Sequence, residues 1–235
     1  MTTEEQHLFA THPWNTVPFE VNPKVAYDKL LDLLLLIPSC LSFLNRTIRT
    51  WGLDITKDQD MRLELESLVS SILRRLQEWW QEYAEEHASH GRDANSFGEP
   101  QPSSVSTEPY YPNSFDAACT AQYHAATMVL CALLTFCSYG TQTYEAQIEW
   151  HSSRILASCS YMMMNRTSSA GTIMMVYPLK IMCRCSLNQL QRRTAFEILG
   201  RWGQKKGIHG ICSQAAPLLD TPIISPSIVE SFLPQ

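Results

Sequence analysis

At 235 residues the chain is about one and a half times the ~150-residue prior for one domain, so one large domain with tails fits better than two full domains. With 45% hydrophobic and 17% charged residues it has enough apolar surface to fold around a core, which excludes a disordered chain. Its formal charge of -5 excludes a fold whose whole surface is built to grip phosphates.

The opening residues MTTEEQHLFATHPWNTVPFE carry two early acids and no basic stretch followed by an apolar run, so no secretory signal is read and the protein is expected inside the cell. Its eight cysteines are then expected to be reduced thiols that behave as small buried hydrophobes. On the same grounds the sequons at Asn45 and Asn165 are expected to stay unglycosylated.

Residues 1–23 read as a tail. In KVAYDKLLDLLLLI, residues 24–37, Tyr27, Leu30, Leu31, Leu34 and Leu35 recur at helical spacing, and Pro38 is expected to stop the run. A second helix over 39–50 places Leu41, Leu44 and Ile48 on one face, with Gly52 as its terminator. From 58 to 88 the series Met61, Leu65, Leu68, Ile72, Leu76, Trp79 and Tyr83 steps by three or four residues, with charges on the other face. This is the plainest helical pattern in the chain.

Residues 89–113 (SHGRDANSFGEPQPSSVSTEPYYPN) concentrate Pro, Gly, Ser and Glu without an apolar period and are expected to be a flexible insert between two helical halves. Asn113 or Ser114 can then cap a helix running from Phe115 to Tyr139 and ending at Gly140. That helix is apolar nearly all round over 125–139, but about 15 residues are too few for a bilayer span, so it reads as a central core helix. Further helices are expected over 143–164, over 171–185 with a kink or shortening at Pro178, and over 188–206, closed by Gly207 and Gly210. Residues 216–235 form a second tail. No stretch alternates with period two and no Asn-Gly or Asp-Gly hairpin turn occurs, so the fold class is all-α: an irregular bundle of about seven helices over 24–215.

Few residues carry a chemical signature. Neither G-x-G-x-x-G nor G-x-x-x-x-G-K-[ST] is present to cradle a phosphate, and no G-x-S-x-G marks a nucleophile. Asp58 and Asp60 are two residues apart at a helix start, where acids meet the helix dipole, and they read as capping residues rather than magnesium ligands. Cys183, Cys185, His209 and Cys212 are of types that zinc accepts, but two cysteines two apart on a helix point to different faces, so no metal and no cofactor are expected. His87 and His90 read as a solvated helix end, and His124 and His151 as satisfied or surface imidazoles without catalytic work.

Met162, Met163, Met164, Met174, Met175 and Met182 read as core filling, with an adaptable apolar binding surface as the other reading. Charge is uneven: residues 57–99 carry a net -5, whereas Lys180, Arg184, Arg192, Arg193, Arg201, Lys205 and Lys206 give 180–206 a net +6 against Glu197 alone. Those seven cations are the candidate contact surface for an acidic partner or a phosphate, beside the plainer reading of a solvated face.

The ordered segments VAYDKLLDLLLLIPSCL, LQEWWQEYAEE, YHAATMVLCALL and GTIMMVYPLKIMCRCSLNQLQRRTAFEILGRWGQKKGIHG, together spanning about 25–213, resemble the C-terminal regulatory region of fungal zinc-cluster transcription factors, the fungal-specific transcription factor domain. The Trp79-Trp80 pair, Tyr123-His124-Ala125-Ala126 and Tyr177-Pro178-Leu179 carry the likeness best. It implies an all-α domain, intracellular and nuclear, that modulates transcription through partners of the transcription machinery or its own oligomers and is not an enzyme. The family's DNA reader, a Cys-x2-Cys-x6-Cys cluster with a basic linker, has no counterpart in these residues, so autonomous sequence-specific DNA binding is not expected, nor is a membrane partner. A helical enzyme or apolar-ligand-binding protein of fungal secondary metabolism is the second reading.

Overall fold

The computed structural model describes residues 16–51, 59–88, 111–138, 144–165 and 169–212. Among the described residues 87% are helical and no strand occurs, so the fold is all-α. The helices are α1 (Ala26–Leu34), α2 (Ile37–Trp51), α3 (Gln59–Ala88), α4 (Ser114–Cys137), α5 (Glu145–Met164), α6 (Ser169–Met174), α7 (Val176–Cys185), α8 (Gln189–Lys206) and the short α9 (His209–Cys212). Described residues up to Tyr83 belong to one compact unit and those from Ala84 onward to a second.

In the first unit, the Val25 N–H donates to the Asp28 carboxylate, satisfying a donor that the start of α1 leaves open. Pro38 does not end a helix as expected: α1 closes at Leu34 and α2 begins at Ile37, so the proline sits in a first turn. There its missing N–H costs nothing and its fixed φ suits the helix. Gly52 lies outside the described residues. Helix α3 buries Leu65, Val69, Ile72, Leu76, Trp79 and Tyr83, a strict four-three alternation, while Leu68 is exposed. The expected face is thus corrected at one position: Val69 fills the seam, because both neighbours are apolar and only the 3.5-residue rhythm separates them.

The second unit is organised by α4. All but Ser114, Phe115 and Phe136 of its 24 residues are buried. Asn113 is the N-cap, its side-chain oxygen accepting from the Phe115 and Asp116 N–H groups at 2.8 and 3.0 Å. By length and composition α4 could cross a bilayer, but its whole apolar window is buried within the fold. Alanines 117, 118, 121, 125, 126 and 132 are buried along it, small enough for helices to approach closely on several sides, and α5, α6 and α7 all pack against it.

The expected helix over 171–185 is two helices. Pro178 lies in the first turn of α7 and has no N–H to give the Met174 carbonyl, and α6 stops at that same residue. The Gln122 amide, on α4, supplies the missing donor at 2.6 Å from that carbonyl, so the break also ties α4 to the α6–α7 corner. Helix α8 starts at an Asn188 cap and ends at Gly207, whose φ of 71° is the left-handed conformation that glycine adopts without a Cβ penalty. Residues 89–110 of the expected flexible insert lie outside the described residues, but its last three do not fit that reading. Tyr111 is buried, and Asn113 is the cap of α4.

Candidate functional site

Helices α4 and α5 enclose a buried polar cluster in the second unit. His124 on α4 and His151 on α5 approach Nδ1 to Nδ1 at 2.8 Å, and both rings are buried. At that distance one ring must carry a proton on Nδ1 and the other must accept there, so the contact rules out protonation of both rings at once. Burial pushes His151 down to about 3, with the Arg154 cation adding to the effect. His124 is held well below the ordinary range, first by burial and then by His151 and Arg154.

The surrounding shell is aromatic. Trp150 stands edge-on to both imidazoles, at 5.4 Å from His124 and 4.8 Å from His151, and Tyr123 meets them at 5.2 and 6.1 Å. The Arg154 guanidinium lies 5.5 Å from the Trp150 ring centre, a cation–π arrangement that holds its charge beside the pair. One turn further along α5, the Ser158 hydroxyl donates to the Tyr111 phenol at 2.9 Å, and Tyr161 closes edge-on at 5.2 Å. Ser152 donates to the Met128 sulfur at 3.6 Å. Chemically, the cluster is a neutral hydrogen-bonded clamp between two helices beside one cation. A substrate reaching either imidazole would have to displace the aromatic shell.

Sequence spacing alone did not bring His124 and His151 together, since 27 residues separate them. A partial signal existed for His151: it falls three residues after Ile148 and four before Ile155, on the face that α5 buries.

All eight cysteines are buried thiols. Burial raises the thiols of Cys40, Cys119, Cys131, Cys159, Cys183, Cys185 and Cys212, Cys40 to about 11 and Cys131 and Cys183 to about 12, so none of these is an activated nucleophile. Cys183, Cys185 and Cys212 are buried, the side chain of His209 lies outside the described residues, and among the described residues no group of three or more His, Cys, Asp or Glu is placed to hold a metal ion. Asp60 is in the first turn of α3, as a capping acid would be, while Asp58, His90 and the His87 side chain lie outside the described residues. The methionines divide: Met162, Met175 and Met182 fill the core, whereas Met163 and Met164 are exposed.

The seven basic candidates do not share one surface. Arg193, Arg201 and Lys205 point outward on α8, Lys180 and Arg184 are half-buried on α7, Arg192 is buried, and the Lys206 side chain is outside the described residues. Arg193 pairs with Glu197 at 3.1 Å across one helical turn. No family model, no curated protein and no solved structure matches the chain.

Proposed function

We propose that the chain is a transcription-regulatory helical domain that acts through protein contacts in the nucleus, without a DNA reader of its own among these residues and without enzymatic activity. The observation that carries this reading is the outer face of α8. Leu190, Arg193, Glu197, Arg201 and Lys205 fall within a third of the helix circumference at 3.6 residues per turn. Leu190 is 72% exposed on that face, one turn from the Arg193–Glu197 pair and on the same side as Arg201 and Lys205, an apolar side chain open to a partner. An acidic, partly apolar protein segment is the complement of such a face. The segments that carry the family likeness also supply the fold's buried helices, α4 and α7, as a scaffold that presents a surface would require.

One observation favours the second reading, a helical enzyme or apolar-ligand-binding protein: the buried His124–His151 pair is polar machinery that packing alone does not need. Fusing the chain to a heterologous DNA-binding domain separates the two. The regulatory reading expects the fusion to change reporter output severalfold and to give only weak, salt-sensitive DNA association when the chain is tested alone. An inert fusion together with turnover of a small apolar metabolite would replace it with the enzyme reading.

A further inference from the structure

A different feature of α8 lies at its beginning. The helix opens on Asn188, whose side chain accepts from the Leu190 and Gln191 N–H groups at 2.9 and 3.3 Å, and its first turn holds no acidic residue. Arg192 follows immediately. It is only 9% exposed, and its Nε and Nη1 are shut off from solvent with no hydrogen-bond acceptor among the described residues. A buried guanidinium whose Nε and Nη1 lack an acceptor carries a desolvation cost that no hydrogen bond to those two atoms offsets. Its position near the positive end of the α8 dipole adds to that cost.

Among the described residues no acidic side chain pairs with Arg192. The Arg192 backbone carbonyl faces the Cys183 thiol at 3.8 Å, and the Arg192 cation pulls that thiol toward ionisation; burial wins, and the thiol stays protonated. Next to Cys183 on α7 stands another cation, the half-buried Arg184. The Ser186 hydroxyl donates to the Gln191 side-chain oxygen at 2.9 Å and fixes the corner between the two helices. With the Leu190 and Gln191 N–H groups taken by the Asn188 cap, it is the buried guanidinium itself, with unfilled donors at Nε and Nη1, that can receive an oxyanion by charge-assisted hydrogen bonds.

We propose that the α7–α8 corner is an oxyanion site for a phosphate-class ligand, with Arg192 as its receiving side chain. The inference stands apart from the regulatory reading, because it concerns a small anion and the inner side of α8 rather than a protein on its outer face.

Inorganic phosphate and acetate, each titrated into the full chain at constant ionic strength, test it through the thermal unfolding midpoint. Phosphate should raise the midpoint with the logarithm of its concentration above the dissociation constant, by roughly 5–10 °C at about 100 times that constant. The rise should vanish in Arg192→Met and persist in Arg193→Met. A stronger response to acetate than to phosphate would overturn the phosphate assignment. No response of the wild type to either anion, or an undiminished response in Arg192→Met, would overturn the proposal. Should Arg192→Met fail to fold, the Nε–Hε resonance of Arg192 in the wild type decides: it should move on phosphate addition, and a stationary resonance overturns the site.

Discussion

Replacing Trp79 by Ala should lower the stability of the first unit by about 3 to 5 kcal/mol, from lost apolar contact plus the cavity left behind. Trp79 is buried on the seam of α3, its ring stacked on Tyr83 at 4.9 Å, and its indole N–H donates to the Ala26 carbonyl at 2.7 Å. That hydrogen bond, worth about 1 kcal/mol, joins α3 to the first residue of α1, so the substitution removes a link between helices as well as volume. Trp80, one step round the helix and half-buried, should cost clearly less as Trp80→Ala. Urea unfolding followed by circular dichroism reads both. Equal losses, or no shift for Trp79→Ala, would mean that another face of α3 is buried.

Acid should unfold the second unit through the His124–His151 pair. Burial and the Arg154 cation hold both rings neutral in the fold to well below the ordinary range, whereas in the unfolded chain each takes a proton near the ordinary value of about 6.5. Below that value the unfolded state binds more protons than the native state, so stability falls as pH falls. The window follows from His151, held at about 3: the loss begins near 6.5 and continues down to about 3. By about pH 4.5, two units into it, His151 alone removes about 3 kcal/mol, and His124, shifted the same way, adds a loss of the same sign. A double variant, His124→Leu with His151→Phe, takes away both rings and leaves neither nitrogen orphaned. Its urea midpoint should change much less than the wild type's between about pH 7 and pH 4.5. Parallel pH profiles would place the acid sensitivity elsewhere, in the carboxylates.

The sequence disclosed the helices more readily than the polar contacts between them. The rhythm of α3 was legible because one seam repeats for many turns, and it misled only at Leu68 against Val69, where two adjacent apolar residues satisfy the same loose period. Pro38 was read as a stop, yet it lies in the first turn of α2, whereas Pro178, read as a kink or shortening, follows directly on the break between α6 and α7; what a proline does depends on where the preceding helix ends, which neighbouring residues settle. The Gln122 bond to the Met174 carbonyl and the histidine pair join residues 52 and 27 apart, and local spacing holds no record of such contacts.

Arg192 was legible in part. It precedes Ala195, Leu199 and Trp202 at steps of three, four and three, the seam that α8 buries, so a cation occupied an apolar position in plain sight. Grouping it with Arg193 as part of a single basic segment concealed the fact that adjacent residues on a helix face about 100° apart.

The claim that the chain regulates through the outer face of α8 is tested most directly by the fusion reporter carrying Leu190→Asp, Arg193→Glu and Arg201→Glu together. All three side chains are exposed, so the thermal midpoint should stay within a few degrees of the parent's. Reporter output should fall back to that of the DNA-binding domain alone. Output unchanged from the parent fusion, with the triple variant folded, would contradict the account.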